Sequence, residues 1–273
     1  RNNIRPVLAR PRTVFATPGT GRHIAPMQNT PDIFDRDLLR RRRDRAAATF
    51  ATHDFLIREV GERLSDRLLD IARPFPLALD LGARSGGFGP VAGGSSGVQH
   101  VVSCDLSERM IGGVGGSSVV GDAEFLPFAN QQFDLIFSNL DLHWINDMPG
   151  SLVQIERALK SDGLFLGAIF GGETLHELRD VLMSAELELT GGASPRVSPF
   201  AALRDTGGLL QRAGFALPVA DADDITVTYD NIFRLMADLR GMGESNVVQE
   251  RLTGPTRRGI FLRAAELYVE RYA

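Results

Sequence analysis

The chain has a single cysteine, Cys104, among 273 residues. An internal disulfide framework and a thiolate zinc cluster are therefore excluded, and a reducing compartment fits. Lysine is equally scarce: Lys160 stands alone, so nearly all positive charge is arginine. Coding bias is the simplest reading, although the guanidinium fork does favour bidentate carboxylate pairing. Excess positive charge is also lacking, since the net charge is −4. No general attraction to nucleic acid or to an anionic membrane follows from such a balance. No apolar run approaches the ~20 residues of a membrane-spanning helix, which leaves peripheral contact with a membrane open but not insertion. His23, His53, His100, His143 and His176 show neither an H-x-x-x-H pair nor facial-triad spacing with acids, so no dedicated metal site is expected. No internal repeat occurs.

What remains is ordinary for a globular protein: 43% hydrophobic and 23% charged residues. The length suits one large α/β domain with extensions, or two small domains. Residues 1–31 differ from the rest. Arg1, Arg5, Arg10, Arg12 and Arg22 occur there with no acid before Asp32. That segment reads as a basic N-terminal arm or the remnant of a mitochondrial targeting segment. Residues 32–273 read as the domain proper.

Helical periodicity predicts a helix from Asp32 to Ala48, capped by Asp35 or Asp32, and a second from Phe55 to Ala72. The run Arg40–Arg45 in the first helix reads as a solvated or partner-facing surface, because no aromatics are interleaved with it. Apolar strands then alternate with helical or glycine-rich crossovers. Leu77–Leu81, His100–Cys104, Val119–Gly121, Phe133–Ser138 and Leu164–Ile169 are the expected strands, with a turn at Asp162-Gly163 and a helix over Ser151–Leu159. This order predicts a Rossmann-like, doubly wound, mostly parallel sheet with every strand's carboxyl end on one edge. Each interior glycine weakens a helix by about 0.5–1 kcal/mol, so the crossovers over 86–97 and 111–118 should be short or replaced by loop. Further helices are expected over Glu173–Leu189, Ala201–Ala213, Ile232–Leu239 and Ile260–Arg271, with strand character in Leu217–Tyr229.

The chemistry gathers on the carboxyl edge. Asp80 ends the first strand, and Gly82 and Gly86 open the turn after it, so a ligand can approach the backbone. Asp105, ending the second strand, is placed to accept two ribose hydroxyls or simply to cap the next helix. Asp122 can accept from an adenine amino group, with Ala123 small enough to let the ring lie flat; a plain turn aspartate is the alternative. Asn139, His143 and Trp144 follow the fourth strand, where His143 serves either as a base or polar anchor or as a packed core histidine. Residues 241–246 read as a lid or a connector. Arg84 stands where such a loop usually has a second glycine. Its side chain would fill the space such a loop leaves for a ligand and pair with Asp105 or Asp80.

Taken together, Asp80–Gly86, Asp105, Asp122–Phe128 and Phe133–Leu135 resemble class I S-adenosylmethionine-dependent methyltransferases. Ile33–Arg36, Phe75–Asp80, Leu142–Trp144, Phe170–Leu175, Ser194–Phe200 and Gly241–Asn246 narrow the resemblance to the mitochondrial respiratory complex I assembly factor 5 family and its bacterial relatives. The resemblance implies a protein of the mitochondrial matrix, or of the matrix face of the inner membrane, with complex I subunits as partners. It also implies arginine hydroxylation of a quinone-site subunit on a methyltransferase fold. The cofactor pocket would then use Asp80, Gly82, Gly86, Asp105, Asp122 and Ala123 for S-adenosylmethionine. Asn139, His143 and Trp144 would face an arginine-bearing segment lying under Ser194–Phe200 and Gly241–Asn246. Relatives continue into a last apolar strand that this chain lacks, so the sheet is expected to miss it. Two other readings stay open: a catalytically degenerate accessory subunit of complex I, and an O-methyltransferase acting on a small molecule or carrier protein.

Overall fold

A computed structural model describes residues 7–9, 11–18, 32–88, 97–200 and 203–272, with only the backbone described for 7–9, 11–18 and 203–205. In chain order the elements are β1 (Val7–Ala9), β2 (Pro11–Pro18), α1 (Arg36–Ala46), α2 (Phe55–Leu69), β3 (Phe75–Leu81), β4 (Val98–Asp105), α3 (Glu108–Ile111) and β5 (Ser117–Val120). They continue with β6 (Phe133–Asn139), α4 (Met148–Ala158), β7 (Leu159–Phe170), α5 (His176–Thr190), α6 (Leu203–Ala213), β8 (Phe215–Ala222), β9 (Ile225–Thr226), α7 (Ile232–Gly241) and α8 (Arg258–Tyr272). A seven-stranded sheet runs in the order β5-β4-β3-β6-β7-β2-β8. Its first five strands are parallel, as the alternating pattern predicts.

Successive residues of a strand face opposite sides of the sheet, and the core divides accordingly. Ala78 of β3, Leu135 and Phe137 of β6 and Leu164, Leu166 and Ala168 of β7 face one layer, where α2, α5 and α8 pack. Leu79 and Leu81, Ile136, Phe165 and Ile169 face the other, against α4 and α6. The turn expected at Asp162-Gly163 does not interrupt the chain; both residues lie inside the long strand β7. Between β4 and β5 the glycine-rich crossover behaves as its composition predicts: α3 has only 4 residues before Gly112 ends it. The other such crossover falls largely in residues 89–96, outside the described residues.

The antiparallel place in the sheet needs a correction. The sheet is expected to miss its last strand, and none of the described residues after β8 joins it. The place is not vacant, however. Pro11–Pro18, read from sequence as part of a basic arm, pairs antiparallel with β7 on one side and β8 on the other. Two facing strand edges carry unpaired N–H and C=O groups, and a third strand between them satisfies both rows. β1 pairs with β9 in a separate two-stranded ribbon.

A cap covers the carboxyl edge. Asp35 accepts a hydrogen bond from the Leu38 N–H at 2.8 Å and so starts α1, as its N-cap position predicts. The residues just before α1 pair with the segment after α7: Asp35 N–H donates to Val247 O at 2.8 Å, and Gln249 N–H to Ile33 O at 2.7 Å. Phe34, Leu39, Trp144, Val247 and Val248 form a small apolar cluster beneath this clasp. The segment read as a lid or connector is thus a fixed part of the cap, with Met242 and Val247 fully buried.

Candidate functional site

The loop after β3 is built as its glycines require. The Gly82 and Ala83 N–H groups both donate to Cys104 O, at 2.8 and 3.0 Å, which seats the loop on the end of β4. Gly82 has φ 76°, and a Cβ there would lie 2.2 Å from Asp141 Cγ. Only glycine meets both demands. Arg84 also adopts a left-handed backbone, φ 50°, where a long side chain is uncommon.

Arg84 is 1% exposed and points across the strand ends. Its Nη1 donates to Asn139 O at 2.9 Å, and its Nη2 donates to Leu140 O and to Glu244 Oε1, both at 2.6 Å. The pairing expected with Asp105 or Asp80 is therefore corrected: the side chain pairs with Glu244, and only the Arg84 backbone N–H reaches Asp105, at 2.9 Å. Glu244 is a hub. Besides Arg84 it accepts from Trp144 Nε1 at 2.8 Å and contacts His143 Nε2 at 3.0 Å. Burial alone would raise the Glu244 carboxyl, but Arg84, the His143 hydrogen bond and Arg43 outweigh it and hold the group at about 2.

A second buried arginine lies beside the first. The run Arg40–Arg45 reads as a solvated or partner-facing surface, yet Arg43 is 1% exposed. Residues four and three apart share a helix face, and Leu39, Arg43 and Ala46 are the buried face of α1. Arg43 is ion-paired with Asp141 and lies 3.4 Å from Asp105. Burial raises Asp141, but Arg43, Arg84 and Arg36 together outweigh it and hold the carboxyl below its ordinary range, so it stays ionised. Asp80 behaves oppositely. Burial, reinforced by the charge of Asp105, pushes it up to about 7 against the Phe88 backbone hydrogen bond and Arg84. Its Oδ2 has no hydrogen-bond partner.

The sequence-predicted residues are thus brought together, but around protein groups. Asp105 accepts from the Arg84 and Ser107 N–H groups, the latter at 2.7 Å, as well as facing Arg43. Asp122 is ion-paired with Arg36 and accepts from the Glu124 N–H at 2.9 Å. Ala123 is buried in the apolar layer under α4. Gly86 has φ 80°, and a Cβ there would meet Val114 at 2.7 Å. Asn139 donates to Ile57 O at 2.7 Å, which ties β6 to α2, while its Oδ1 has no partner. His143 is neutral-leaning, its pKa pushed down by burial against the opposing pull of Glu244. Trp144 packs edge-on to Phe34 with ring centroids 5.4 Å apart. Arg36, Arg43, Asp141 and Glu244 are the members that sequence reasoning missed. The odd residue Arg84 signalled that buried carboxylates must exist elsewhere to pair with it.

Two cavities adjoin this cluster. A groove of about 600 Å³ is lined by Trp144, Phe170, Arg196, Phe200, Arg240 and Glu244 among others. It lies under the loops that the resemblance implies for a substrate. An apolar cavity of about 290 Å³ lies beyond His143, between Phe34, Ile145, Phe165 and Phe200. Neither is lined by Asp80, Gly82, Gly86, Asp105, Asp122 or Ala123. S-adenosylmethionine is the usual cofactor of this fold, but these residues as arranged do not fit it. The carboxylates that would take ribose and adenine are held by Arg43 and Arg36, and the Arg84 guanidinium lies buried against Asn139 O and Leu140 O.

Residues 79–167 match the methyltransferase domain family. The mouse protein named arginine-hydroxylase NDUFAF5, mitochondrial, is 43% identical over 98% of this chain and 81% of its own length. Its human counterpart is 45% identical over 89% of this chain and 72% of its own. The chain belongs to the NDUFAF5 family. A malonyl-[acyl-carrier protein] O-methyltransferase of Xylella fastidiosa is more distant, at 36% identity over 86% of this chain and 81% of its own. Together with the parallel five-strand arrangement, these matches make the fold that of a class I methyltransferase. No helix among the described residues is long and apolar enough to cross a membrane.

Proposed function

We propose that this protein serves the assembly of respiratory complex I in the mitochondrial matrix, binding complex I subunits through a methyltransferase scaffold that no longer takes S-adenosylmethionine. Likeness to the mammalian NDUFAF5 proteins across almost the whole chain supports the assembly role and the location. The observation that carries the second part is Arg84: its buried guanidinium is locked to Glu244 and two backbone carbonyls beside the glycine loop, which in this reading leaves no room for a cofactor. The relatives' named activity is arginine hydroxylation, and in this reading any such chemistry proceeds without the nucleoside pocket. Asp80, Gly82, Gly86, Asp105, Asp122 and Ala123 then act as architecture, and Asn139, His143 and Trp144 as the buried support of the groove floor. Carrier-protein methylation, the activity named for the Xylella relative, needs the methyl donor and is disfavoured on the same ground.

Calorimetric titration with S-adenosylmethionine should give no binding at micromolar affinity. Arg84→Gly, which suits the left-handed backbone and empties the pocket, should restore weak binding. Micromolar binding by the unaltered protein would overturn the filled-pocket reading. Absence from complex I assembly intermediates in affinity purification would overturn the assembly reading.

A further inference from the structure

The 600 Å³ groove has a charge pattern that the cofactor pocket does not explain. Five arginines line it: Arg42 and Arg45 from α1, Arg196 from the loop before α6, Arg240 from the end of α7, and Arg251. The one carboxylate among the lining residues, Glu244, is already saturated by Arg84, His143 and Trp144. Arg196 is neutralised by Glu186, and Arg251 lies 3.3 Å from Asp35. Among the described residues, Arg42, Arg45 and Arg240 have no carboxylate at ion-pair distance. Arg42 is half-buried and donates to Asn246 O. Its pKa is pushed down by burial and then by Arg251 and Arg45, with Asp35 opposing and Arg240 adding to the repulsion. A chain of net charge −4 thus concentrates uncompensated cations around one concavity. Below them the wall is apolar: Phe170, Leu175, Leu178 and Leu182, closed by Phe261 of α8.

We propose that this groove docks an acidic protein segment, with carboxylates on Arg42, Arg45 and Arg240 and an apolar side chain seated against Leu178 and Phe261. Charge complementarity selects the occupant. These guanidinium groups, without a carboxylate partner among the described residues, come from two elements, α1 and α7, so they match several carboxylates spaced along a chain better than one small anion. The fork geometry of each takes a carboxylate bidentately. An apolar anchor between charged contacts is how a peptide gains both affinity and register. The inference stands on the groove and is independent of complex I being the partner.

The test uses the full chain and three fluorescein-labelled peptides of equal length, alternating leucine with glutamate, glutamine or lysine, read by anisotropy. The glutamate peptide should bind, weakening by tenfold or more when salt rises from low to physiological strength, while the glutamine and lysine peptides should not. Arg45→Glu/Arg240→Glu alters exposed side chains that make no ion pair among the described residues. It should retain the parent melting temperature, lose glutamate-peptide binding at least tenfold, and gain affinity for the lysine peptide. Equal binding of the glutamine peptide would overturn the proposal. So would unchanged glutamate-peptide affinity in the double variant, or decanoate or inorganic phosphate displacing the peptide at lower concentration than a second glutamate peptide does.

Discussion

At the scale of single residues, two buried guanidinium groups and the carboxylates around them decide what the site can do. Removing one member of such a pair leaves a charge without its partner, which costs about 3–5 kcal/mol. Glu244→Gln should therefore lower the unfolding free energy by about that much, read as a shift in urea midpoint at constant slope. The same carboxylates set opposite pH dependences. Glu244 is depressed from 4.5 to about 2, so its stabilisation is complete above 4.5 and is lost as the pH falls toward 2. Asp80 is raised from 3.8 to about 7, so its protonated form is favoured by folding. That contribution is complete below 3.8 and is lost as the pH rises to about 7. Asp80→Asn, which keeps the shape and carries no charge, should remove the loss of stability between about pH 5 and about pH 8. Parallel urea titrations of both proteins at the two pH values check this; an equal loss in the variant would assign the effect to another group. Arg84 was legible as an anomaly because a glycine-rich turn rarely admits a long side chain. Its partner was not legible, because Glu244 lies 160 residues away and nothing local in 241–246 marks it as buried.

At the scale of elements, the cap explains why a helix of such polar composition is held so firmly. α1 carries six arginines within 36–46, yet its Leu39–Arg43–Ala46 face is buried against the carboxyl edge. Reading the arginine run as solvated fails at this one position, because the helical period turns Arg43 inward while Arg40, Arg41 and Arg45 stay exposed. Asp35 serves the cap twice, accepting from Leu38 N–H to start the helix and facing Arg251 across the clasp at 3.3 Å. Asp35→Ala should cost about 1 kcal/mol for the helix start, with little more for the long, partly buried ion pair. Hydrogen exchange should localise the loss to amides of 36–40 and 246–249 and spare β3 and β6. In the loop after β3, Gly82→Ala would combine an unfavourable φ with a Cβ placed 2.2 Å from Asp141 Cγ. That variant should unfold at lower urea concentration than Asp35→Ala, because the Asp141–Arg43 pair must move to admit the methyl group.

At the scale of the whole molecule, the parallel half of the sheet was legible because its information is local. Each strand is an apolar run closed by an acid or a small residue, and right-handed crossovers leave little choice of order. The antiparallel half was not, because what decides it is a pairing between distant segments. Pro11–Pro18 contains a short β-branched and aromatic stretch, but prolines bound it and basic residues surround it. Its value as a strand comes only from the two rows of backbone groups that β7 and β8 present to it. Among the described residues, β8 reaches the rest of the sheet only through β2. Removing residues 1–18 would therefore leave two open edges and detach the backbone pairing of β8, although Phe215 and Leu210 would still pack in the layer beneath α4 and α6. The shortened protein should melt at lower temperature and scatter light at micromolar concentration, since unpaired strand edges recruit one another. Amide exchange should quicken along Phe165–Phe170 and Phe215–Ala222 while β3 and β4 keep their protection. If the shortened chain melts where the full one does, with β7 still protected, then the sheet closes directly between β7 and β8 and the amino-terminal strand contributes nothing to its stability.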